Sequence, residues 1–84
     1  MEKELVNKPP HYQLKLPDGT PFQVLDILKA TLTPEEFKGF LKGNILKYQM
    51  RAGKKDITVQ EYKKANWYLN YLINELENEE ALLK

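Results

Sequence analysis

The chain has 84 residues and a formal net charge of +1, so we expect one small domain that buries only about 60 to 65% of the surface its unfolded form exposes. It contains no cysteine, no serine and one histidine, which excludes disulfides, thiolate metal sites and Ser/His/Asp or Cys/His nucleophilic sites. No apolar run approaches the roughly 20 residues of a membrane-spanning helix, and the first residues lack a signal-peptide core. We therefore expect a soluble cytosolic protein, with no metal, no cofactor and no membrane partner.

An extended arm and a turn are predicted over residues 1–19. Pro9 and Pro10 hold the backbone extended. The alternation that follows places three residues on one side of the arm: Tyr12, Leu14 and Leu16. The tripeptide Pro17-Asp18-Gly19 is typical of a turn. We expect the arm to lie across the helices.

Three helices are predicted, over residues 20–32, 33–53 and 58–82. Each begins with a threonine that is followed three residues later by Gln or Glu, the spacing of a capping box. The pairs are Thr20 with Gln23, Thr33 with Glu36, and Thr58 with Glu61. Gly53 can adopt the left-handed conformation that ends a helix, so the second helix should end near Ala52.

Apolar residues recur with a helical period and predict the core. The predicted core positions are Phe22, Leu25, Leu28 and Leu32 with Val24 and Ile27 in the first helix, Phe37, Leu41, Ile45, Tyr48 and Ala52 in the second, and Tyr62, Ala65, Leu69, Leu72, Ile73 and Leu76 in the third. The third helix would be about 38 Å long and the second about 28 Å, so the shorter helices cannot cover Leu82 and Leu83. We predict an all-α, three-helix domain that either frays at this end or forms a homo-oligomer.

Charge is segregated along the chain. After Glu36 the second helix carries basic residues without acids, whereas acidic residues are concentrated near the end of the chain. The spacing of Phe40, Asn44, Lys47 and Arg51 aligns them on one ridge of the second helix. Gly39 and Gly43 lie beside this ridge, where each costs about 1 kcal/mol relative to alanine, so we expect a partner helix or a ligand to approach there.

Cationic and aromatic side chains form the candidate site. Phosphate groups prefer guanidinium and ammonium donors, a base needs a flat surface, and an asparagine can recognise a base edge or a sugar. The candidate ligand-binding residues are Asn44, Lys47, Arg51, Lys54, Lys55, Lys64 and Trp67, with His11 and Tyr12 on the arm closing over the ligand. The alternatives are that the lysines are a solvated surface, that Trp67 is core and that His11 is a structural cap.

We identify no catalytic residue from the sequence. The phosphate-binding patterns GxxxxGK[ST] and GxGxxG do not occur. Glu75 with Glu79, and Glu77 with Glu80, have the spacing of magnesium ligands in helical pyrophosphohydrolases. The second helix offers no matching acidic pair, so we favour a solvated helix end.

Three blocks, NKPPHYQ, EFKGFLKGNILKYQMRAGKK and EYKKANWYLNYLI, resemble the SaV-like family of small phage-encoded proteins. The shared positions are Pro9, His11 and Tyr12; Gly43, Asn44, Lys47, Tyr48, Arg51, Ala52, Gly53 and Lys54; and Lys64, Ala65, Trp67, Tyr68 and Leu69. The resemblance covers residues 7–76. It implies a role with nucleotides, because a phage nucleotide kinase without a phosphate-binding loop carries a similar domain.

The leading hypothesis is an oligomeric phage protein that sequesters a nucleotide or a cyclic dinucleotide signal and so counters host defence. Binding without turnover requires fewer groups than phosphoryl transfer, which needs two nucleotides and magnesium. The alternatives are a phage nucleoside monophosphate kinase, a nucleic-acid-binding accessory protein that uses the same lysines, and a purely structural oligomer with the ridge as its interface.

Overall fold

The computed structural model describes residues 15–54 and 57–83 and has an all-α fold, which confirms the predicted class. Helix α1 spans Phe22–Thr31, α2 spans Pro34–Arg51 and α3 spans Thr58–Leu82. Most of the predicted extended arm lies outside the described residues, including Pro9, Pro10, His11, Tyr12 and Leu14. The predicted site residue Lys55 lies outside them as well.

The chain enters α1 through the predicted turn. The amide of Gly19 donates to the carbonyl of Leu16 at 2.8 Å, and the amide of Leu16 donates to the carbonyl of Thr20 at 2.8 Å. Gly19 has φ +90°, a left-handed conformation that glycine adopts without steric cost. An isolated antiparallel bridge between Lys15 and Pro21 closes the loop.

The capping box at Thr33 is confirmed. Its hydroxyl accepts from the amide of Glu36 at 3.1 Å, and the Glu36 carboxylate accepts from the amide of Thr33 at 2.9 Å. The predicted end of α2 is also confirmed, since Gly53 has φ +81°. Local sequence therefore determines both ends of α2.

The other two predicted capping boxes are wrong. The residue before α1 is Pro21, and the amide of Thr20 donates instead to Oδ1 of Asp18 at 3.0 Å, so Thr20 belongs to the turn. The residue before α3 is Ile57, without a side-chain cap among the described residues, and Thr58 is already helical. The Glu61 side chain is buried instead of capping the helix.

Ion pairs and ring contacts define the helix directions. Lys38, near the start of α2, pairs with Glu79 near the end of α3 at 3.0 Å, so α2 and α3 are antiparallel. α1 is parallel to α3, because the rings of Phe22 and Trp67 lie 5.8 Å apart and the ion pair between Lys29 and Glu75 follows about two turns later in both helices. The chain therefore runs up, down and up.

The core lies between the three helices and the turn. Its buried hydrophobic residues are Leu16, Leu25, Phe37, Leu41, Ile45, Tyr48, Ala65, Tyr68 and Leu72. The positions predicted for α2 are confirmed, apart from Ala52, which is half-buried. None of the described helices has the length and apolar character needed to cross a membrane.

The predicted core face of α3 is partly wrong. Ala65 and Leu72 are buried as expected, but they share their face with Glu61 and Tyr68, at successive spacings of four, three and four. The remaining predicted positions are 37 to 54% exposed and lie to one side: Tyr62, Leu69, Ile73 and Leu76. α1 and α2 pack against the side of α3 that carries Glu61 and the aromatic rings. The prediction placed the core on the side with more aliphatic residues and so missed this packing face. Leu82 and Leu83, predicted to be uncovered, are both 86% exposed.

Candidate functional site

Three cationic side chains converge on the ring of Tyr48. The Nζ of Lys47 lies 4.5 Å from the ring centroid and the Nζ of Lys64 lies 5.4 Å from it. The guanidinium carbon of Arg51 lies 5.7 Å from the same centroid. The electron-rich face of an aromatic ring attracts cations within about 6 Å, so Tyr48 gathers charges from two helices. We refer to Lys47, Arg51, Lys54 and Lys64 as the cationic cluster.

The local sequence of α2 and the antiparallel packing bring this cluster together. Lys47 precedes Tyr48, and Arg51 follows it by three residues, less than one helical turn away. Lys64 comes from the first two turns of α3, which lie beside the last turn of α2. A positive patch therefore forms where α2 ends, and the negative end of the α2 dipole favours cations there.

A buried carboxylate lies beneath the cluster. Glu61 is 0% exposed, and its Oε2 accepts a hydrogen bond from the Nζ of Lys64 at 2.9 Å. Its Oε1 lies 3.4 Å from the Nε of Arg51. Among the described residues, this Oε1 is the buried side-chain polar atom that lacks a hydrogen bond. A buried charge needs partners, so Glu61 holds Arg51 and Lys64 close to it.

The exposed side of the cluster borders two concavities. Lys47, Met50, Arg51 and Lys54 line one of about 480 Å³. The other, of about 300 Å³, includes Lys64 in its lining. The larger volume lies within the range of about 300 to 1,000 Å³ that is usual for small-molecule sites. The ammonium groups of Lys47 and Lys54 and the guanidinium of Arg51, all from residues that line it, suit an anionic ligand.

Asp18 fixes the ring on which the cations converge. Its Oδ2 accepts hydrogen bonds from the hydroxyls of Tyr48 and Tyr68, each at 2.7 Å. Burial by itself would raise the pKa of Asp18, but these bonds and the bond from the Thr20 amide outweigh it and lower the pKa below the usual value. For Tyr48 and Tyr68, burial first and the bond to Asp18 second raise the pKa above the usual tyrosine value. One carboxylate in the turn thus ties α2 to α3.

The structure brings together Lys47, Arg51, Lys54 and Lys64 from the set predicted by the sequence. Asn44 is half-buried, and its Nδ2 donates to the carbonyl of Phe40 in its own helix at 2.9 Å. The three remaining positions, His11, Tyr12 and Lys55, lie outside the described residues.

Trp67 is half-buried in a group of aromatic rings. Its ring centroid lies 5.4 Å from that of Tyr68, 5.6 Å from that of Tyr71 and 5.8 Å from that of Phe22. Because Tyr68 also stacks on Tyr48 at 6.1 Å, Trp67 is separated by two ring contacts from the centre of the cluster.

Sequence reasoning missed Glu61 and Asp18. The capping-box pattern assigned Glu61 to the helix start, and the turn pattern assigned Asp18 to the turn alone. A usable signal for Glu61 was its position in helical register with Ala65, Tyr68 and Leu72, which marks it as a core position. Among the described residues, no group of three or more His, Cys, Asp or Glu side chains is arranged to hold a metal ion.

The fold and the site define a small helical domain with a cationic surface built on an aromatic core. The chain belongs to the family DUF3310, described as a protein of unknown function, whose model matches residues 6–70. It is similar to the nucleotide kinase gp1.7 of Escherichia phage T7, with 44% identity over 52 residues, or 62% of this chain and 24% of the relative. It is also similar to the gene 1.7 protein of Enterobacteria phage T3, with 38% identity over 69 residues, or 79% of this chain and 40% of the relative. This chain therefore spans less than half the length of either relative, and no solved structure matches it.

Proposed function

We propose that this chain binds a nucleotide, with the phosphate groups held by the cationic cluster. The observation that carries the proposal is the convergence of Lys47, Arg51 and Lys64 on the ring of Tyr48, above the buried Glu61. The buried Glu61 accounts for the approach of Arg51 and Lys64, whereas Lys47, which lies over the Tyr48 ring, adds a positive charge that Glu61 does not require. Arg51 and Lys64 are two cations beside the one carboxylate of Glu61, and Lys47 and Lys54 add two positive charges to the same surface, so we infer that a positive surplus remains for an anion.

The pair formed by Glu61 and Arg51 prepares the site for phosphate. A guanidinium offers five donors in a planar fork, so one edge can contact a carboxylate while another faces a phosphate. Because Arg51 is held before the ligand arrives, binding costs less side-chain entropy. The ammonium groups of Lys47, Lys54 and Lys64 supply point charges that adapt to different phosphate positions.

The base would lie towards the apolar parts of the same surface. Met50 and the aliphatic stems of the lysines line the concavity of about 480 Å³. Trp67 is the flat surface that we propose for base stacking. Its ring contacts that of Tyr68, which in turn stacks on the ring of Tyr48. Asn44 would recognise a base edge after releasing the carbonyl of Phe40. We also keep His11, Tyr12 and Lys55 as proposed ligand contacts.

The name of the phage T7 relative, a nucleotide kinase, supports nucleotides as the ligand class. The resemblance to SaV-like phage proteins supports the same class. We propose that the chain acts in the cytoplasm of an infected cell as a homo-oligomer, where it sequesters a nucleotide or cyclic dinucleotide and so counters host defence. The decisive experiment for this role is native mass spectrometry of protein purified from infected cells. A co-purified nucleotide lost on substitution of Arg51 supports it, and a protein that carries no small molecule contradicts it.

A second candidate is a nucleoside monophosphate kinase, favoured by the 44% identity to the phage T7 kinase. The test is incubation of the chain with labelled ATP, magnesium and each deoxynucleoside monophosphate. Formation of a diphosphate product by the unmodified chain, and its loss in the Arg51→Ala variant, would show that the function is phosphoryl transfer and not sequestration. Bound nucleotide recovered unchanged would support binding without turnover.

Binding of long nucleic acid by the same lysines is the third possibility, and salt dependence separates it from nucleotide binding. Affinity for DNA that falls steeply as salt rises indicates neutralisation of many backbone phosphates. Saturable binding of mononucleotides or dinucleotides, with a shallow salt dependence, is what we expect.

A further inference from the structure

An apolar stripe lies exposed along α3, on the side away from α1. Its members are Tyr62, Leu69, Ile73 and Leu76, between 37 and 54% exposed. At 100° per residue this stripe lies on the opposite side of α3 from Trp67, which contacts α1. α1 therefore does not cover the stripe.

The stripe continues across the seam onto α2. Three concavities of about 210 to 270 Å³ lie along this seam, and neighbouring ones share Lys42 or Ile45. Leu46, 57% exposed, contributes to this surface. A Cβ atom built at Gly39 or Gly43 would meet nothing within 4 Å. A further helix can therefore approach the backbone of α2 closely.

We propose that two copies of this chain pair through this face of α2 and α3, each copy covering the exposed seam of the other. α2 is about 27 Å long, and two adjacent helices are about 20 Å wide, so the seam offers about 540 Å² per copy. The pair would then bury about 1,100 Å² in total, above the roughly 1,000 Å² expected of a specific interface. Exposed Tyr, Leu and Ile side chains make this face apolar, as the cores of interfaces are.

Charge also favours a second copy over a partner of one sign. The α2 side of the face carries Lys42, and Glu80 continues the helical register of the α3 stripe. In a two-fold interface the same patch of both copies comes together. A residue of one copy that contacts a given residue of the other is therefore matched by the reciprocal contact. A face with both signs can pair with itself, and the net charge of +1 produces little repulsion between copies. This inference does not depend on nucleotide binding.

The experiment measures the mass of the full chain in solution by light scattering and sedimentation equilibrium over a micromolar concentration range. We expect the mass of two chains. Leu46→Glu and Ile73→Glu should each raise the dissociation constant of the dimer at least about tenfold, because each substitution buries an unpaired charge in the interface. Both positions are exposed in the single chain, so helical circular dichroism should persist.

Ile27→Glu is the matched control, since Ile27 is 62% exposed on α1 and outside the seam. It should leave the dimer intact. A one-chain mass for the unmodified protein at every concentration would overturn the proposal, and so would a dimer that both seam variants leave unchanged. Dissociation of the dimer by Ile27→Glu alone would place the interface on α1 and overturn it as well.

Discussion

The Nε of Arg51 lies 3.4 Å from Oε1 of Glu61, which joins the last residue of α2 to the first turn of α3. The carboxylate is 0% exposed, whereas the Arg51 side chain is 43% exposed. The contact therefore joins a buried carboxylate to a partly exposed guanidinium. Glu61 anchors the cation from within, and Arg51 presents its charge to the concavity beside Lys47 and Lys54.

Replacing Glu61 with Gln should destabilise the fold, since Arg51 and Lys64 would lose a buried anion. We expect the free energy of unfolding to fall by about 1 to 3 kcal/mol, less than for a fully buried pair because both cations are partly exposed. Urea denaturation at neutral pH measures the loss. Glu77→Gln, an exposed position on the same helix, should change the stability by less than about 0.5 kcal/mol. Equal effects of the two variants would show that the carboxylate has no structural role.

Asp18 should make the fold sensitive to acid. Its pKa is lower in the folded state than in the unfolded chain, so its contribution to stability is complete above the unfolded value of about 3.9. That contribution is lost as the pH falls through the folded value. Asp18→Asn should be less stable at neutral pH and should lose less additional stability below about pH 4 than the unmodified protein. Thermal melts from pH 7 to pH 2 test this, with Asp26→Asn on the exposed side of α1 as the control.

Tyr48 and Tyr68 should titrate late in alkaline solution. Burial, and then the hydrogen bond to Asp18, raises the pKa of both. Their contribution to stability is complete below the unfolded tyrosine value of about 10 and is lost as the pH rises through the folded value. Phenolate absorbance should show a group of tyrosines that ionise late, made up of Tyr48, Tyr68 and Tyr71, because burial raises the pKa of Tyr71 as well. Tyr48→Phe should remove one of these late transitions, and simultaneous titration of all tyrosines near pH 10 would contradict the buried arrangement.

The threonines at the helix starts should differ in their effects. Thr33 caps α2 through its hydroxyl, so Thr33→Ala should cost about 1 kcal/mol of stability. Thr58 is inside α3 and shows no side-chain cap among the described residues, so Thr58→Ala should be neutral or slightly stabilising. Chemical denaturation of the two variants in parallel compares them. A similar loss of stability in both variants would indicate that Thr58 caps α3 after all.

Local patterns were sufficient for the elements whose residues interact within a few positions. The turn at Asp18 and Gly19, the cap at Thr33 and the end of α2 at Gly53 are all examples. The three-helix class followed from the apolar periodicity. Lys47, Arg51 and Lys54 of the candidate site were also identified, because no acidic residue follows Glu36 in that stretch, and Lys64 was added from the basic and aromatic surface of the third helix.

Long-range contacts could not be predicted in the same way. Glu61 has the spacing of a capping residue, and only the packing of α2 beside α3 shows that it is buried below Arg51. Asp18 meets two tyrosines that lie 30 and 50 residues later. Tyr62 and Leu69 fit a core pattern, yet the single chain leaves them exposed because α1 and α2 pack against a different face of α3.

Isothermal titration calorimetry of nucleotides tests the central claim, that the cationic cluster binds phosphate. The series is the unmodified chain, Arg51→Ala, and Lys42→Ala as a control that removes one positive charge elsewhere on α2. We expect saturable binding that Arg51→Ala weakens at least about tenfold, since a charge-assisted contact contributes about 1.5 to 3 kcal/mol, and that Lys42→Ala leaves nearly unchanged. Absence of nucleotide binding by the unmodified chain, or equal weakening by both substitutions, would contradict the account.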